Sequence, residues 1–222
     1  MNYYSENDIR EIVSRVLSDA GLARKKEEGP KGQEVPVEIS ARHVHLTQEA
    51  VDVLFGKGYL LTKKRSLSQP GQYLAEERVK LVTAKGQLSN IAILGPVRPE
   101  NQVELSLTDA RILGVQAPIC LSGDLEGAAD VVIVGPKGVI TAKRSVMIAK
   151  AHVHMTPEDA DIYNVKNNER VSVKIGTERP VTLNDVIVRV RDDYALAVHI
   201  DFDEANAAQI SGNVTGLLIK NG

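Results

Sequence analysis

Alternation of apolar and polar residues dominates the chain from Val35 onward. It is clearest over 171–175 and 186–190, where every second residue is apolar, the period of a strand with one buried face. Runs rich in β-branched residues fill 79–95, 131–149, 170–190 and 194–202, and we interpret the Gly, Pro and Asn184-Asp185 positions that interrupt them as turns. Many short strands with few helices predict a mainly β fold. Two small β-barrel domains with short capping helices fit this pattern better than a Rossmann sheet.

Residues 1–22 follow a helical period instead. Apolar side chains recur every three or four residues at Ile9, Ile12, Val13, Val16, Leu17 and Ala20. This predicts an N-terminal amphipathic helix, followed over 23–34 by a charged linker that contains Gly and Pro. A single short helix cannot bury its own apolar face. It docks on the body of the chain, on another subunit or on a foreign surface, and the pattern leaves these alternatives open.

Composition excludes several functional classes. The formal net charge is −2 over 222 residues, so no global positive field recruits nucleic acid. No apolar run approaches membrane-spanning length and the N-terminus lacks a signal-peptide pattern, so we expect neither membrane insertion nor secretion. The single cysteine, Cys120, excludes an internal disulfide and fits a reducing cytosol; we interpret it as a small core residue rather than a nucleophile.

The five histidines fall into three places, two of which repeat one motif. His43-Val44-His45 and His152-Val153-His154 each place two imidazoles two residues apart, and His199 is the fifth. On a strand, residues two apart point to the same side, so each motif can present two imidazoles to one point while its valine turns into the core. Neutral imidazole is a common ligand of zinc and related metals.

The surroundings of the motifs repeat as well. A helix-start phrase follows each one, with threonine as N-cap and an acidic residue in the first turn. A similar helix-start pattern follows Glu104 and, less closely, His199. This internal duplication predicts two three-ligand sites, which are His43, His45 and Glu104 in one and His152, His154 and His199 in the other. Three ligands with an open position are typical of catalytic zinc, although iron, cobalt or nickel would also accept these donors.

Arg98 lies between two prolines shortly before Glu104. A guanidinium held there is suited to bind a phosphate or a carboxylate, and an exposed loop arginine is an equally good interpretation of the spacing.

Four phrases together resemble one family, the phosphate propanoyltransferases, or propanediol-utilisation type phosphotransacylases. They are ISARHVHLT, NIAILGPVRPENQVELSLTDARILG, AKAHVHMTPEDA and AVHIDFDEANA, and the resemblance covers the chain from Val35 to its end. It implies an acyltransferase with two β-barrels and two zinc ions, which interconverts acyl-CoA plus phosphate with acyl phosphate plus CoA. It assigns the same two ligand sets to the metals and phosphate binding to Arg98.

The resemblance also implies a coenzyme A site lined by Ser40, Ala41, Leu94 and Asn206. Ala92 departs from it, since many relatives carry a basic residue at this position. In such proteins residues 35–41 together with 150–222 form one barrel and 42–149 the other.

Residues 1–22 resemble an encapsulation peptide. This implies a bacterial cytoplasmic enzyme of propanediol degradation, held in the lumen of a microcompartment through contacts with shell or cargo proteins. A homo-oligomer is expected.

Two other functions remain alternatives. A dinuclear metallohydrolase acting on a thioester or phosphoester also uses H-x-H pairs, but the bridging aspartate expected there is missing from these motifs. A β-barrel scaffold held together by metal ions, without activity, would need four protein ligands at each site. The sequence offers only three at each.

Overall fold

The β-branched segments form strands and the phrases after the ligand motifs form helices. The computed structural model describes residues 34–221, which lie within one compact unit and contain fourteen strands and four short helices. The strands are β1 (Glu34–Ile39), β2 (His43–His45), β3 (Lys63–Ser66), β4 (Tyr73–Val82), β5 (Gln87–Gly95), β6 (Gln102–Leu105), β7 (Ile119–Cys120), β8 (Ala129–Val134), β9 (Val139–Ala149), β10 (His152–Met155), β11 (Arg170–Ile175), β12 (Val181–Val190), β13 (Ala197–Ile200) and β14 (Val214–Lys220). The helices are α1 (Gln48–Phe55), α2 (Leu107–Leu113), α3 (Pro157–Ile162) and α4 (Phe202–Ala207).

The strands close into two six-stranded barrels, so the predicted mainly β, two-barrel fold is confirmed. In the first barrel the order is β1-β13-β10-β12-β11-β14. In the second it is β4-β5-β2-β6-β9-β8, closed because β8 pairs with both β4 and β9. Strands β3 and β7 extend this sheet beside β4 and β9.

The second barrel is inserted in the sequence of the first, between β1 and β10. β1 immediately precedes β2 in the chain but belongs to the first barrel, and β9 immediately precedes β10 but belongs to the second. The chain therefore crosses between barrels over 40–42 and again over 150–151. Each H-V-H motif begins directly after a crossing, which places both motifs where the barrels meet.

Strand pairing around the two motifs is the same. β2 runs parallel to β5 and antiparallel to β6, just as β10 runs parallel to β12 and antiparallel to β13. The register makes His43 the partner of Glu104 and His152 the partner of His199. Equivalent pairing is what an internal duplication would produce, and the duplication itself stays a prediction.

Aliphatic side chains fill both barrel interiors. Val44 and Val153, the central residues of the two motifs, are completely buried. Each packs in the core of its own barrel, as the strand period predicts. These valines fix the rotation of β2 and β10 and therefore the direction of the flanking imidazoles.

Side-chain caps begin the helices immediately after the ligand strands. Thr47 and Thr156 accept hydrogen bonds from the backbone N–H groups of Ala50 and Asp159, as the sequence predicts. Ser106 and Asp201 cap α2 and α4 in the same way. Each ligand strand thus ends in a fixed turn, which limits the freedom of the side chains beside it.

One predicted turn is wrong. Asn184 and Asp185 lie inside β12, which is continuous from Val181 to Val190. Asp185 adopts a positive φ of 61°, and its carboxylate binds Lys150 and Arg170. These distant partners keep the chain in the sheet where the local sequence favours a turn.

The predicted helix over 1–22 and nearly all of the linker over 23–34 lie outside the described residues; Glu34 already belongs to β1. None of the helices between residues 34 and 221 is long and apolar enough to cross a membrane.

Candidate active site

Two side chains of β2 and one of β6 form the first ligand group. His43, His45 and Glu104 are buried, and one potential ligand atom from each lies within 4.8 Å of the others. The register brings them together, because Glu104 is the antiparallel partner of His43 and the other imidazole lies two residues along the same strand.

The tautomers of these histidines follow from their backbone contacts. The Nδ1 atom of His43 lies 2.7 Å from the carbonyl of Ala41, and that of His45 lies 3.2 Å from the carbonyl of Leu94. A carbonyl only accepts, so both Nδ1 atoms carry the proton, and in the neutral form of each ring Nε2 presents a lone pair. These Nε2 atoms are 3.2 Å apart, and each is 3.6 Å from a Glu104 oxygen. Converging lone pairs repel one another, and a cation between them removes the repulsion.

The second ligand group repeats this arrangement with three imidazoles. The ring centroids of His152, His154 and His199 are 4.7–5.2 Å apart. His152 directs Nδ1 to the carbonyl of Lys150 at 2.7 Å, just as His43 does to Ala41. Both ring nitrogens of His154 and the Nε2 of His199 are buried without a hydrogen-bond partner among the described residues. Orphaned buried nitrogens fit metal ligation.

Burial keeps four of the five imidazoles neutral. It lowers the pKa of His45 to about 4, that of His199 to about 3 and that of His154 to about 2. Burial would also lower the pKa of His43, but Glu104 beside it raises that pKa above its usual value. Burial would raise the pKa of the Glu104 carboxyl, but His43 and His45 beside it hold that pKa well below its usual range. Neutral imidazole and ionised carboxylate are the forms that bind a metal ion.

Arg98 lies beside the first group. Its backbone N–H donates to the carbonyl of Leu46, and its guanidinium donates to the Ser122 hydroxyl at 3.3 Å. Ser122 in turn donates to Glu104 at 3.2 Å and accepts from Gln102 at 2.7 Å. This network connects the half-buried guanidinium to a ligand of the first group and fixes its position.

All of these groups open on one cavity of about 890 Å³. Six arginines line it, Arg42, Arg65, Arg78, Arg98, Arg189 and Arg191, against the carboxylates Glu38, Glu104 and Asp193. Of the residues predicted to bind coenzyme A, Ser40, Ala41 and Leu94 line the cavity. Asn206 lies exposed on α4, apart from its lining.

Comparison with known proteins shows the family of this chain. Residues 36–211, which include both ligand groups, match the family model of phosphate propanoyltransferase. The chain belongs to the phosphate propanoyltransferase family.

Curated relatives match it over nearly its whole length. The chain is 46% identical over 215 residues to the phosphate propanoyltransferase of Alkaliphilus metalliredigens, covering 97% of this chain and 99% of the relative. It is 50% identical over 215 residues to that of Leptotrichia buccalis, covering 96% and 99%. The enzyme of Thermotoga maritima is 50% identical over 176 residues, covering 79% of this chain and 84% of the relative. As a member of this family, the chain is an acyltransferase.

Sequence reasoning missed several residues of this family member's site. Gln102 is the partner of His45 in the register, and the Gln102-Val103-Glu104 spacing repeats that of H-V-H, so alternation could have found it. Arg189-Val190-Arg191 shows the same spacing. Tyr194 stacks on His154 with ring centroids 3.9 Å apart, and no local pattern predicts this contact because a loop brings it there.

Cys120 is only partly buried, so its interpretation as a core residue is wrong. Its thiol donates to the carbonyl of Asp124, and burial raises its pKa to about 11. A protonated thiol is a poor nucleophile.

Proposed function

We propose that this chain interconverts a short-chain acyl-CoA plus phosphate with acyl phosphate plus CoA, the thioester being propanoyl-CoA or acetyl-CoA. The observation that carries the proposal is that the ligand group of His43, His45 and Glu104 meets three further imidazoles and Arg98 at one arginine-lined cavity. A phosphotransacylase needs such a combination, since one substrate is a phosphate and the other carries several.

The donor sets fit two zinc ions or other divalent transition metals. His43, His45 and Glu104 would hold one ion, and His152, His154 and His199 the other. The first assignment is supported by two Nε2 atoms that converge to 3.2 Å, and the second by buried ring nitrogens without a hydrogen-bond partner among the described residues. A metal ion bound with an open position supplies Lewis-acid chemistry, polarising a carbonyl and stabilising a thiolate.

Arg98 binds the phosphate. Among the described residues its guanidinium has no carboxylate partner within ion-pair distance, and its only side-chain hydrogen bond is to Ser122. The fork of N–H donors is therefore available to phosphate oxygens, which it matches in geometry. Holding phosphate against the thioester carbonyl lowers the entropic barrier of the reaction.

The transfer proceeds by direct displacement. A phosphate oxygen attacks the carbonyl carbon of the thioester, the C–O bond forms, and the C–S bond breaks with its electron pair leaving on the CoA sulfur. No covalent nucleophile is favoured: the Cys120 thiol is protonated at neutral pH, and the Ser122 hydroxyl is bound to Glu104 rather than to a basic imidazole.

Coenzyme A occupies the arginine-lined part of the cavity. Guanidinium groups are suited to its phosphates, and Ser40, Ala41 and Leu94 lie within reach of the same space. Asn206 would have to contact a part of the coenzyme that extends beyond the cavity.

Replacing Arg98 tests the proposal. Acyl phosphate formed from propanoyl-CoA and phosphate is trapped with hydroxylamine and quantified. We expect Arg98→Ala to raise the phosphate KM by about 10- to 100-fold, the loss typical of hydrogen bonds to a charged group, with metal content unchanged. An unchanged phosphate KM would remove Arg98 from the site, and a wild-type protein that forms no acyl phosphate would contradict the proposed function.

We propose that residues 1–22 are an encapsulation peptide, which delivers the enzyme to the lumen of a bacterial microcompartment for propanediol degradation. Its apolar stripe, Ile9 to Ala20, supports docking on a foreign surface. A fluorescent protein fused to these residues should co-purify with microcompartment shells, and exchanging Ile12 and Val16 for Asp should abolish this.

A further inference from the structure

Arg189 projects into the active site from the first barrel. It lies on β12 as the register partner of His154 on the parallel strand β10. Side chains of paired residues stand on the same face of a sheet, so Arg189 leaves the sheet beside His154 and lines the same cavity.

The Arg189 guanidinium has no anionic partner. Within residues 34–221 it makes no ion pair. Its Cζ atom lies over the ring of Tyr194, 5.9 Å from the ring centroid. Two other arginines of the cavity differ: Arg42 pairs with Asp109 at 2.8 Å and Arg191 with Asp193 at 2.7 Å. Arg189 is thus a half-buried cation whose charge the protein leaves uncompensated.

Arg98 approaches the same region from the second barrel, also without a carboxylate partner among the described residues. Both guanidiniums line the same cavity. Burial lowers the pKa of Arg98, the Glu104 carboxylate opposes this, and the positive charge of Arg189 lowers the pKa again, so the two cations lie within electrostatic range of each other. Two like charges partly removed from water cost free energy. An anion placed between them would convert this repulsion into attraction.

We propose that Arg189 is a second phosphate-binding residue, which together with Arg98 holds the transferred phosphate group from two sides. The inference rests on the proposed function and adds a residue to it. The anion is the substrate phosphate rather than a phosphate of coenzyme A, because Arg189 lies beside the second ligand group. The two arginines, one from each barrel, compensate the negative charge of the phosphate when it attacks the thioester. In the reverse reaction they compensate the charge of the phosphoryl group.

Arg170 provides a control in the same barrel. It lies on β11 as the register partner of Ile187 on β12, is exposed, and does not line the cavity. Its guanidinium pairs with the Asp185 carboxylate. Arg170→Met removes the same charge and a similar volume as Arg189→Met without changing the cavity.

The experiment compares the KM for phosphate at saturating propanoyl-CoA with the KM for propanoyl-CoA at saturating phosphate, at constant ionic strength. We expect Arg189→Met to raise the phosphate KM by about 10- to 100-fold, as for a lost charged hydrogen bond, and to change the propanoyl-CoA KM by less than about threefold. Arg170→Met should change the phosphate KM by less than about threefold. Arg189→Lys, which keeps the charge without the fork, should lie between wild type and Arg189→Met.

Phosphate binding without turnover gives a second measurement. Phosphate should raise the Tm of the metal-replete wild type, and this shift should be largely lost in Arg189→Met. The Tm without phosphate reports whether each variant is folded. If Arg189→Met does not fold, Arg189→Lys decides both measurements.

Three results would overturn the inference. One is a phosphate KM for Arg189→Met within twofold of wild type. Another is an equal rise of the phosphate KM in Arg170→Met. The third is a rise confined to the propanoyl-CoA KM, which would assign Arg189 to a phosphate of the coenzyme. A wild type without phosphate-dependent CoA release contradicts the proposed function instead, and the phosphate-induced Tm shift then decides the role of Arg189 alone.

Discussion

At the scale of single residues, a nearby backbone carbonyl binds one ring nitrogen of His43 and of His152 and leaves the other nitrogen to bind a ligand. His43 and His152 both lie two residues after the carbonyl that receives their Nδ1–H, and both present Nε2 to the cavity. The motif spacing predicts the choice of residues, because alternation on a strand dictates a common face. It does not predict Tyr194 against His154, or Arg189 beside it, because both contacts depend on pairing between segments far apart in the sequence.

Glu204 gives a prediction that does not involve the ligands. Burial raises its pKa to about 7 from an ordinary 4.5. The folded protein therefore binds more protons than the unfolded chain between these values, so the free energy of unfolding falls as pH rises through this window. Between pH 6 and 8 the free energy of unfolding of the wild type should fall by about 1 kcal/mol more than that of Glu204→Gln. This variant keeps a hydrogen-bonding side chain in the capping box of α4.

Urea unfolding of both proteins at pH 6 and pH 8 measures this difference. Glu49→Gln is the control, since Glu49 occupies the first turn of α1 and is exposed. Parallel pH profiles for wild type and Glu204→Gln would refute the assignment.

At the scale of elements, local signals predict helix starts well and strand continuity less well. Thr47 and Thr156 cap helices because the capping side chain and its N–H partner lie three residues apart. Asn184-Asp185 resembles a turn in isolation, yet β12 continues through it because Lys150 and Arg170 bind the Asp185 carboxylate. Such long-range contacts are invisible to a local pattern.

The turn between β4 and β5 packs closely against α2, which gives a prediction for Gly86. A Cβ atom there would lie 2.0 Å from the carbonyl oxygen of Ile112, a backbone atom that cannot move aside without shifting the helix end. Gly86→Ala should lower the free energy of unfolding by about 1–3 kcal/mol. Gly176→Ala, where a Cβ meets no atom within 4 Å, should change it by less than about 0.5 kcal/mol. Equal values in urea unfolding would show that the turn and the helix are not in contact.

At the scale of the whole molecule, the insertion of the second barrel between β1 and β10 brings the two ligand groups to one cavity. Both crossings end at an H-V-H motif, so two strands that begin where the barrels meet carry four of the six ligand-type residues. Periodicity predicts the barrels but not this insertion, which follows from the pairing of β1 with β13 and β14 and of β9 with β6 and β8.

The two ligand groups should bind metal separately, since each is complete on its own barrel. We expect about two zinc ions per wild-type chain and about one in His43→Ala and in His152→Ala. Asn206→Ala should keep both ions, because Asn206 does not line the cavity. Elemental analysis of the purified proteins measures this, and full metal content in either histidine variant would break the ligand assignment.

Phosphotransacylase activity is measured most directly as the release of CoA thiol from propanoyl-CoA by the metal-replete protein, with and without phosphate and again after chelation. We expect release that requires phosphate and disappears when the metal is removed. Equal release without phosphate would contradict this activity and identify a thioester hydrolase. No release from propanoyl-CoA or acetyl-CoA under any condition would leave a metal-binding protein without transferase activity.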